Sequence, residues 1–184
     1  MALARGDWLG FLDDDDTFVP GFFAEFLRLA GPANAQCFYF NYNRVSETRT
    51  PTTVNVLSRV GVDLSARLVD SLDVKNFIPN NAIFVNRRLV SGCLFDATLR
   101  SHEDWDWILS LRDSMSLRFL NAYGSNVHVD ESEQSRNRPS NASSSVGLDH
   151  LTIYRRWPAK TQETRRLRSE RLLKLGVDTN PNLL

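Results

Sequence analysis

The sequence has no long hydrophobic run, little cysteine and no net charge. No apolar stretch approaches the roughly 18 residues that a membrane span requires, and the N-terminus has no signal-peptide hydrophobic region. With a formal net charge of +0, the chain has no overall field that would attract nucleic acid, so we expect no nucleic-acid partner.

Cysteine is limited to Cys37 and Cys93, which form no CxxC pair and lie among apolar neighbours. Such residues are typical of small buried hydrophobes in a reducing compartment, so we expect a cytoplasmic protein. The length of 184 residues is sufficient for one domain with a substantial core.

The most informative stretch is a short apolar run, WLGFL at residues 8–12, that leads into four consecutive aspartates at residues 13–16. The apolar run predicts a buried strand. Adjacent carboxylates repel one another, so their clustering favours neutralisation by a cation, and oxygen ligands suit Mg²⁺ or Mn²⁺. Ligands of open α/β sheets bind beyond the carboxyl ends of strands. A solvated acidic turn is the structural alternative.

A second group of chemically competent residues is SHEDWDW at residues 101–107. The apolar spacing that follows predicts a helix ending near Ser114. Ser101 with Asp104 three residues later resembles a capping box, and acids in a first turn favour the helix dipole. A structural role for these acids is therefore the alternative to catalysis.

The remaining pattern predicts alternating strands and helices. Further helices are predicted over residues 21–30 and 63–72, the latter capped by Asp63, and strands at 37–42, 82–85, 117–122 and 125–129. Residues 130–147 are rich in Ser, Asn and Arg without apolar periodicity, so we expect a mobile loop with a lid or binding role.

The C-terminal residues 148–184 are predicted to form a helical, basic tail after a domain of residues 1–147. A run of charges is usually a solvated helix face. A basic amphipathic helix also suits an anionic membrane surface, so peripheral contact at the inner face of the membrane is the alternative.

One family resemblance rests on the acidic stretch alone. DDDDT at residues 13–17 satisfies the pattern DxDx[T/V] and resembles motif I of haloacid-dehalogenase-like phosphatases. In that family the first Asp accepts the phosphoryl group and the second is an acid/base, which implies Asp13 and Asp15 here. The family also requires a later GDxxxD-type strand end, whereas the sequence has Gly-Asp only at residues 6–7.

A second resemblance covers roughly residues 6–112. GDWLGFLDDDD at residues 6–16, followed by Pro20, resembles the GxxxxFLDxDDxxxP stretch of family 2 glycosyltransferases. That family's acceptor-side segment is similar to Asn81–Val85, Arg87-Arg88, Gly92, Phe95-Asp96 and HEDWD at 102–106. The resemblance implies an α/β, GT-A (Rossmann-like) mixed sheet flanked by helices.

The same resemblance implies metal-dependent transfer of a sugar, with inversion, from a nucleotide-sugar donor to a glycan or lipid-linked acceptor. Asp13 and Asp15 would be the D-x-D pair that meets the donor and holds Mn²⁺ or Mg²⁺, because a cation neutralises the charge that grows on the leaving diphosphate. Asp104 would be the general base that deprotonates the acceptor hydroxyl.

Supporting roles follow from the resemblance for most of the remaining site residues. Asp14 would contact the donor beside the D-x-D pair, and His128 would be a downstream metal ligand. Independently of the resemblance, Arg136 and Arg138 in the predicted loop at 130–147 are suited to clamp the diphosphate. Glu103 and Trp105 would lie on the acceptor side.

The sequence departs from this family at its start, because the family's first half, with its VSVIIPTYN-like strand, does not precede residue 6. We therefore expect a GT-A sheet that is incomplete on its N-terminal side. A partner polypeptide or self-association at the exposed sheet edge would complete it. The alternatives are a fragment of a longer gene product and a catalytically silent, truncated domain.

Overall fold

The computed structural model describes residues 3–31, 37–90, 92–132 and 142–184. Its described residues form two compact units. The first unit draws on Met1–Arg67, Ile78–Gly92 and Leu111–Asn137, and the second on Leu68–Phe77, Cys93–Ser110 and Arg138–Leu184. The predicted tail at 148–184 thus belongs to a unit that also includes two earlier segments of the chain.

The first unit contains a six-stranded mixed sheet. Its strands are β1 (Trp8–Gly10), β2 (Thr17–Phe18), β3 (Cys37–Arg49), β4 (Val54–Val62), β5 (Ile83–Asn86) and β6 (Leu117–Asp130). The order is β1-β5-β3-β6-β2, and β4 pairs with the second half of β3. Strands β3 and β6 are parallel, whereas β1–β5, β3–β5, β3–β4 and β2–β6 are antiparallel.

The α-helices in the described part of the chain are α1 (Phe22–Ala30), α2 (Glu103–Ser114), α3 (Ala142–Arg156) and α4 (Gln162–Lys174). The predicted α/β class with a mixed sheet is therefore confirmed. None of the helices that can be described combines the length and the apolar character needed to cross a lipid bilayer.

Aromatic side chains form the core of the first unit. Phe22 and Phe26 of α1 are almost fully buried, and both pack on Phe84 of β5. The ring of Phe40 lies 4.5 Å from that of Phe22, measured between centroids. A Cβ atom on Gly124 of β6 would lie 2.3 Å from the Phe40 ring, so close packing of these rings requires glycine there.

The second unit has its own buried core, to which Trp105 and Ile108 of α2, Tyr154 of α3 and Leu172 of α4 contribute. Arg168 of α4 is also fully buried, with its guanidinium 4.5 Å above the Tyr154 ring. The basic run of the tail, to which Arg168 belongs, was interpreted as a solvated helix face, and for Arg168 that interpretation is wrong.

Two other local predictions are wrong. Residues 63–72 do not form an α-helix, and only a short 3-10 helix, Val69–Asp73, is present. The N–H of Leu64 instead donates to the side chain of Asn41, which holds this segment against β3. The two strands predicted at 117–122 and 125–129 are one continuous strand, β6, with register shifts opposite Asn41.

The predicted loop at 130–147 and the predicted cap at Ser101 also need correction. Helix α3 begins at Ala142, within the predicted loop. Helix α2 begins at Glu103, so its N-cap position is His102 and not Ser101, whose hydroxyl donates to Asp149 Oδ2 at 2.8 Å. Residues 133–141 lie outside the described residues.

Candidate functional site

The four aspartates lie in the segment that joins β1 to β2. Asp13, Asp14 and Asp15 are exposed, and the N–H of Asp16 donates to the carbonyl of Asp13 at 3.1 Å, which forms a turn. We call residues 13–16 the acidic loop. Its contacts to β3 and β6 involve residues near the carboxyl ends of these parallel strands, where α/β sheets bind ligands.

Asp16 differs from its neighbours because it fastens the acidic loop to the sheet. Its Oδ1 accepts a hydrogen bond of 2.7 Å from the backbone N–H of His128, and its Oδ2 accepts one of 2.6 Å from Asn81 Nδ2. Burial raises the pKa of Asp16 above its ordinary value, and the His128 hydrogen bond opposes that rise. Both carboxylate oxygens are therefore engaged in holding the loop.

A buried carboxylate, Glu47 of β3, joins a histidine and an arginine behind the acidic loop. Glu47 is 1% exposed and accepts hydrogen bonds from His128 Nδ1 at 2.8 Å and Arg49 Nε at 2.5 Å. Burial pushes the Glu47 pKa upward, but the hydrogen bonds from His128 and Arg49 together outweigh it and hold the pKa below its ordinary value.

The same two partners of Glu47 reach the acidic loop and the strand that follows it. Arg49 donates to the carbonyl of Asp15 at 3.2 Å. The Nε2 atom of His128 lies 3.4 Å from Thr17 Oγ1. The acidic loop is thus anchored to β3 through Arg49 and to β6 through Asp16, while the side chains of Asp13, Asp14 and Asp15 face solvent.

The chemistry of these side chains fits a divalent cation that is shared with a phosphate ligand. Mg²⁺ is usually bound by one or two carboxylates together with substrate phosphates, and less often by an all-protein cage. Within the residues that the structure describes, no group of three or more His, Cys, Asp or Glu side chains is arranged to hold a metal. A cation here would therefore depend on oxygen atoms of its ligand.

In the second unit, Asp104 lies in the first turn of α2. Its Oδ2 accepts a hydrogen bond from Asn76 Nδ2 at 3.1 Å, and its Oδ1 accepts one from the Trp105 N–H at 2.7 Å. These bonds orient the carboxylate. Glu103, one residue earlier, is exposed.

Trp105 and Asp106 have structural contacts in this unit. Trp105 has no exposed surface, and its Nε1 donates to the Leu72 carbonyl at 2.8 Å, so any part that it takes in an acceptor site would be indirect. Asp106 accepts hydrogen bonds from Arg156 at 2.5 Å and from the Trp157 indole at 2.9 Å. Asp106 therefore ties α2 to the end of α3.

Sequence reasoning thus missed four residues of the first unit: Asp16 as an anchor, and Glu47, Arg49 and Asn81 as its companions. Asp16 carried a signal as a member of the acidic run, and Asn81 as the first residue of the segment that resembles the glycosyltransferase family, but nothing indicated that they anchor the loop. Two predicted site residues, Arg136 and Arg138, lie outside the described residues.

Comparison with known proteins bears on the fold. No family model matches the chain, and no curated protein gives a significant match. The chain is similar to the crystal structure of S. aureus TarS 1-349, a glycosyltransferase, in complex with UDP-GlcNAc, with a TM-score of 0.55 and 12% sequence identity. The match covers 95% of this chain and 50% of that chain, so this chain spans about half the length of the structure it matches. At this identity the likeness concerns the fold alone: the chain has a glycosyltransferase-like fold.

Proposed function

We propose that this chain is part of a family 2 glycosyltransferase of the GT-A type, and that its acidic loop receives the diphosphate of a nucleotide-sugar donor. The observation that carries the proposal is the anchoring of the loop from two sides. Asp16 and the Arg49 contact hold the backbone, while Asp13 and Asp15 keep exposed carboxylates. Preorganised carboxylates of this kind suit a cation that bridges to phosphate oxygens.

The donor chemistry explains why a cation would be used. Transfer breaks the bond between the sugar and the nucleoside diphosphate, and negative charge grows on the departing oxygen. Mn²⁺ or Mg²⁺ held by Asp13 and Asp15 would neutralise that charge. Asp14 would contact the donor beside them, and His128 would bind the cation through its Nε2. Arg136 and Arg138 would bind the diphosphate.

The acceptor chemistry is assigned to Asp104. As a general base, its carboxylate would take the proton of an acceptor hydroxyl that attacks the anomeric carbon, and one direct displacement inverts that carbon. The hydrogen bond from Asn76 keeps the carboxylate oriented for this task. Glu103 would help to orient the acceptor, which we take to be a glycan or a lipid-linked molecule; the protein itself would be cytoplasmic, with peripheral contact at the inner face of the membrane.

Calorimetric titration with UDP, the nucleotide of the donor bound to TarS, tests the donor site. We expect wild-type protein to bind UDP in the presence of Mn²⁺, and Asp15→Ala to weaken that binding about tenfold or more, because losing even an outer-shell partner of a metal ligand costs about 10–100-fold in metal affinity. Asp7→Ala is the matched control, because Asp7 is an exposed carboxylate on the other side of β1 that pairs with Arg88. Equal binding of UDP by wild type and Asp15→Ala would contradict the donor site.

Two activity assays separate this proposal from its alternatives. A phosphatase that uses Asp13 would hydrolyse p-nitrophenyl phosphate and lose that activity in Asp13→Asn, whereas we expect no hydrolysis by either protein. With UDP-GlcNAc and Mn²⁺, we expect UDP release that Asp104→Asn abolishes when an acceptor is present. Binding of UDP without any turnover would identify a catalytically silent domain.

A further inference from the structure

His102, two residues before Asp104, has an uncommon backbone conformation. Its φ of 63° is positive, and among the described residues it is the one non-glycine residue with a positive φ. Such conformations are uncommon for side chains other than glycine and occur often at functional sites. The contacts of the His102 imidazole show what this conformation positions.

The imidazole of His102 is oriented by a chain of hydrogen bonds. Ser101 Oγ donates to Asp149 Oδ2 at 2.8 Å, and His102 Nδ1 lies 2.8 Å from the same Oγ. A hydroxyl has one hydrogen, so Ser101 donates to Asp149 and accepts from His102. This arrangement assigns the hydrogen to Nδ1 and leaves Nε2 with a lone pair.

The surroundings of His102 favour its neutral form. Burial lowers its pKa below the ordinary value, Asp149 and Glu103 oppose that change, and Arg171 adds to it. The ring of His150, fully buried, lies 4.6 Å from that of His102, and the ring of Trp105 lies 6.2 Å away. A neutral ring in these surroundings presents Nε2 as a hydrogen-bond acceptor.

His150 adds a second neutral imidazole to the cluster. Burial lowers its pKa to about 4, and its Nδ1 contacts the Val146 carbonyl at 3.0 Å, which assigns the hydrogen to Nδ1. Its Nε2 is buried and makes no hydrogen bond to any of the residues that the structure describes. A buried acceptor nitrogen without a partner among these residues is uncommon, and a water molecule or a ligand hydroxyl would satisfy it.

We propose that His102 is a positioning residue of the acceptor site, whose Nε2 accepts a hydrogen bond from a hydroxyl of the carbohydrate acceptor. This inference rests on the proposed function, in which Asp104 takes the proton of a neighbouring hydroxyl. His102, Glu103 and Asp104 are consecutive residues that carry hydrogen-bond acceptors, and a molecule with several hydroxyl donors suits such residues. The ligand class is therefore a neutral polyhydroxylated sugar.

Nuclear magnetic resonance of protein labelled with ¹⁵N-histidine tests the inference without an assay of sugar transfer. At neutral pH we expect His102 to be the Nδ1–H tautomer, and Ser101→Ala to raise the Nε2–H population. A panel of methyl glycosides is the probe, and at least one should shift the His102 Nε2 resonance saturably. A His102 in the Nε2–H form, or one that no glycoside shifts, would overturn the inference.

Two substitutions separate acceptor positioning from a structural role. The amide of His102→Asn replaces Nδ1 and keeps the Ser101 contact, whereas His102→Gln places an acceptor oxygen near the position of Nε2. We expect Asn to raise the KM for the glycoside about tenfold, the loss of one hydrogen bond, and Gln to restore it, with the donor KM unchanged. The reverse order, with Asn like wild type and Gln impaired, would assign His102 a structural role.

The two experiments also distinguish this inference from the proposed function. If wild-type protein neither binds UDP in the presence of Mn²⁺ nor transfers sugar, the proposed function fails, and the ¹⁵N resonances still decide whether His102 binds a hydroxyl. If transfer occurs and the His102 resonance does not respond, the proposed function stands and the inference about His102 is wrong.

Discussion

The backbone N–H of His128 lies 2.7 Å from Asp16 Oδ1, so the side chain of the last aspartate of the acidic loop is bound to the main chain of β6. The contact joins residues 112 positions apart in the sequence. It divides the four aspartates into two kinds, because Asp16 anchors the loop while Asp13, Asp14 and Asp15 are exposed. This division can be tested by substitution.

Asp16→Ala removes the acceptors of two hydrogen bonds and leaves Asn81, which is 1% exposed, without that partner. We expect the free energy of unfolding to fall by about 2 kcal/mol, since bonds to a charged group contribute about 1.5–3 kcal/mol each and water replaces part of them. UDP binding with Mn²⁺ should weaken as well. Urea titration measures the first effect, and Asp14→Ala, an exposed neighbour, should leave the urea midpoint unchanged.

Glu47 makes the stability depend on acid pH. Its pKa in the folded protein lies below the ordinary value of 4.5, so its ionised form is favoured by folding. The resulting stabilisation is fully present above about pH 4.5 and is lost as the pH falls through the folded pKa. Glu47→Gln should remove this part of the pH dependence. The measurement is the difference between the urea midpoints of wild type and Glu47→Gln, taken from about pH 6 to about pH 3. A constant difference across that range would show that Glu47 has the same pKa in both states.

The elements that the sequence predicted correctly are those with a strong local pattern. Helix α1 has apolar residues at helical spacing and ends at a glycine, and β5 is a short apolar run after two asparagines. Such signals need only neighbouring residues. The α/β class follows from their alternation along the chain.

The roles of Glu47 and Arg168 depend on distant residues, so local patterns did not predict them. Glu47 is one charge in a polar segment, and its partner His128 lies 81 positions later. Arg168 belongs to a basic run that has the composition of a solvated helix face. Arg168 is buried by contacts with Asp73 and Tyr154, and these contacts cannot be predicted from the helical periodicity of the sequence.

Gly124→Ala should destabilise the first unit because the new Cβ would lie 2.3 Å from the Phe40 ring and 2.5 Å from the Phe22 ring, both of them buried. We expect a loss of about 2 kcal/mol, typical of overpacking in a core. Gly61→Ala is the matched control. Its Cβ would lie 2.9 Å from the ring of Tyr123, which is 41% exposed and can move aside. Thermal unfolding compares the two variants, and equal midpoints would show that the aromatic core yields to the extra methyl group.

Arg168→Met tests whether the buried arginine holds the second unit together. The Nε atom of Arg168 donates to the Asp73 carbonyl at 2.7 Å and its Nη1 donates to the Tyr154 carbonyl at 3.2 Å. Methionine fills similar volume but leaves both carbonyls without these donors and removes the cation–π contact, so we expect a loss of about 3 kcal/mol.

The control for this substitution is Arg166→Met on the same helix. Arg166 pairs with Glu163 and Glu170, and all three side chains are largely exposed, so this substitution should leave the urea midpoint nearly unchanged. The two arginines are two positions apart on one helix and have the same charge. They differ in burial and in their hydrogen-bond partners. Equal effects of the two substitutions would mean that loss of positive charge on α4 is the cause, whereas a large effect confined to Arg168→Met identifies the buried hydrogen bonds.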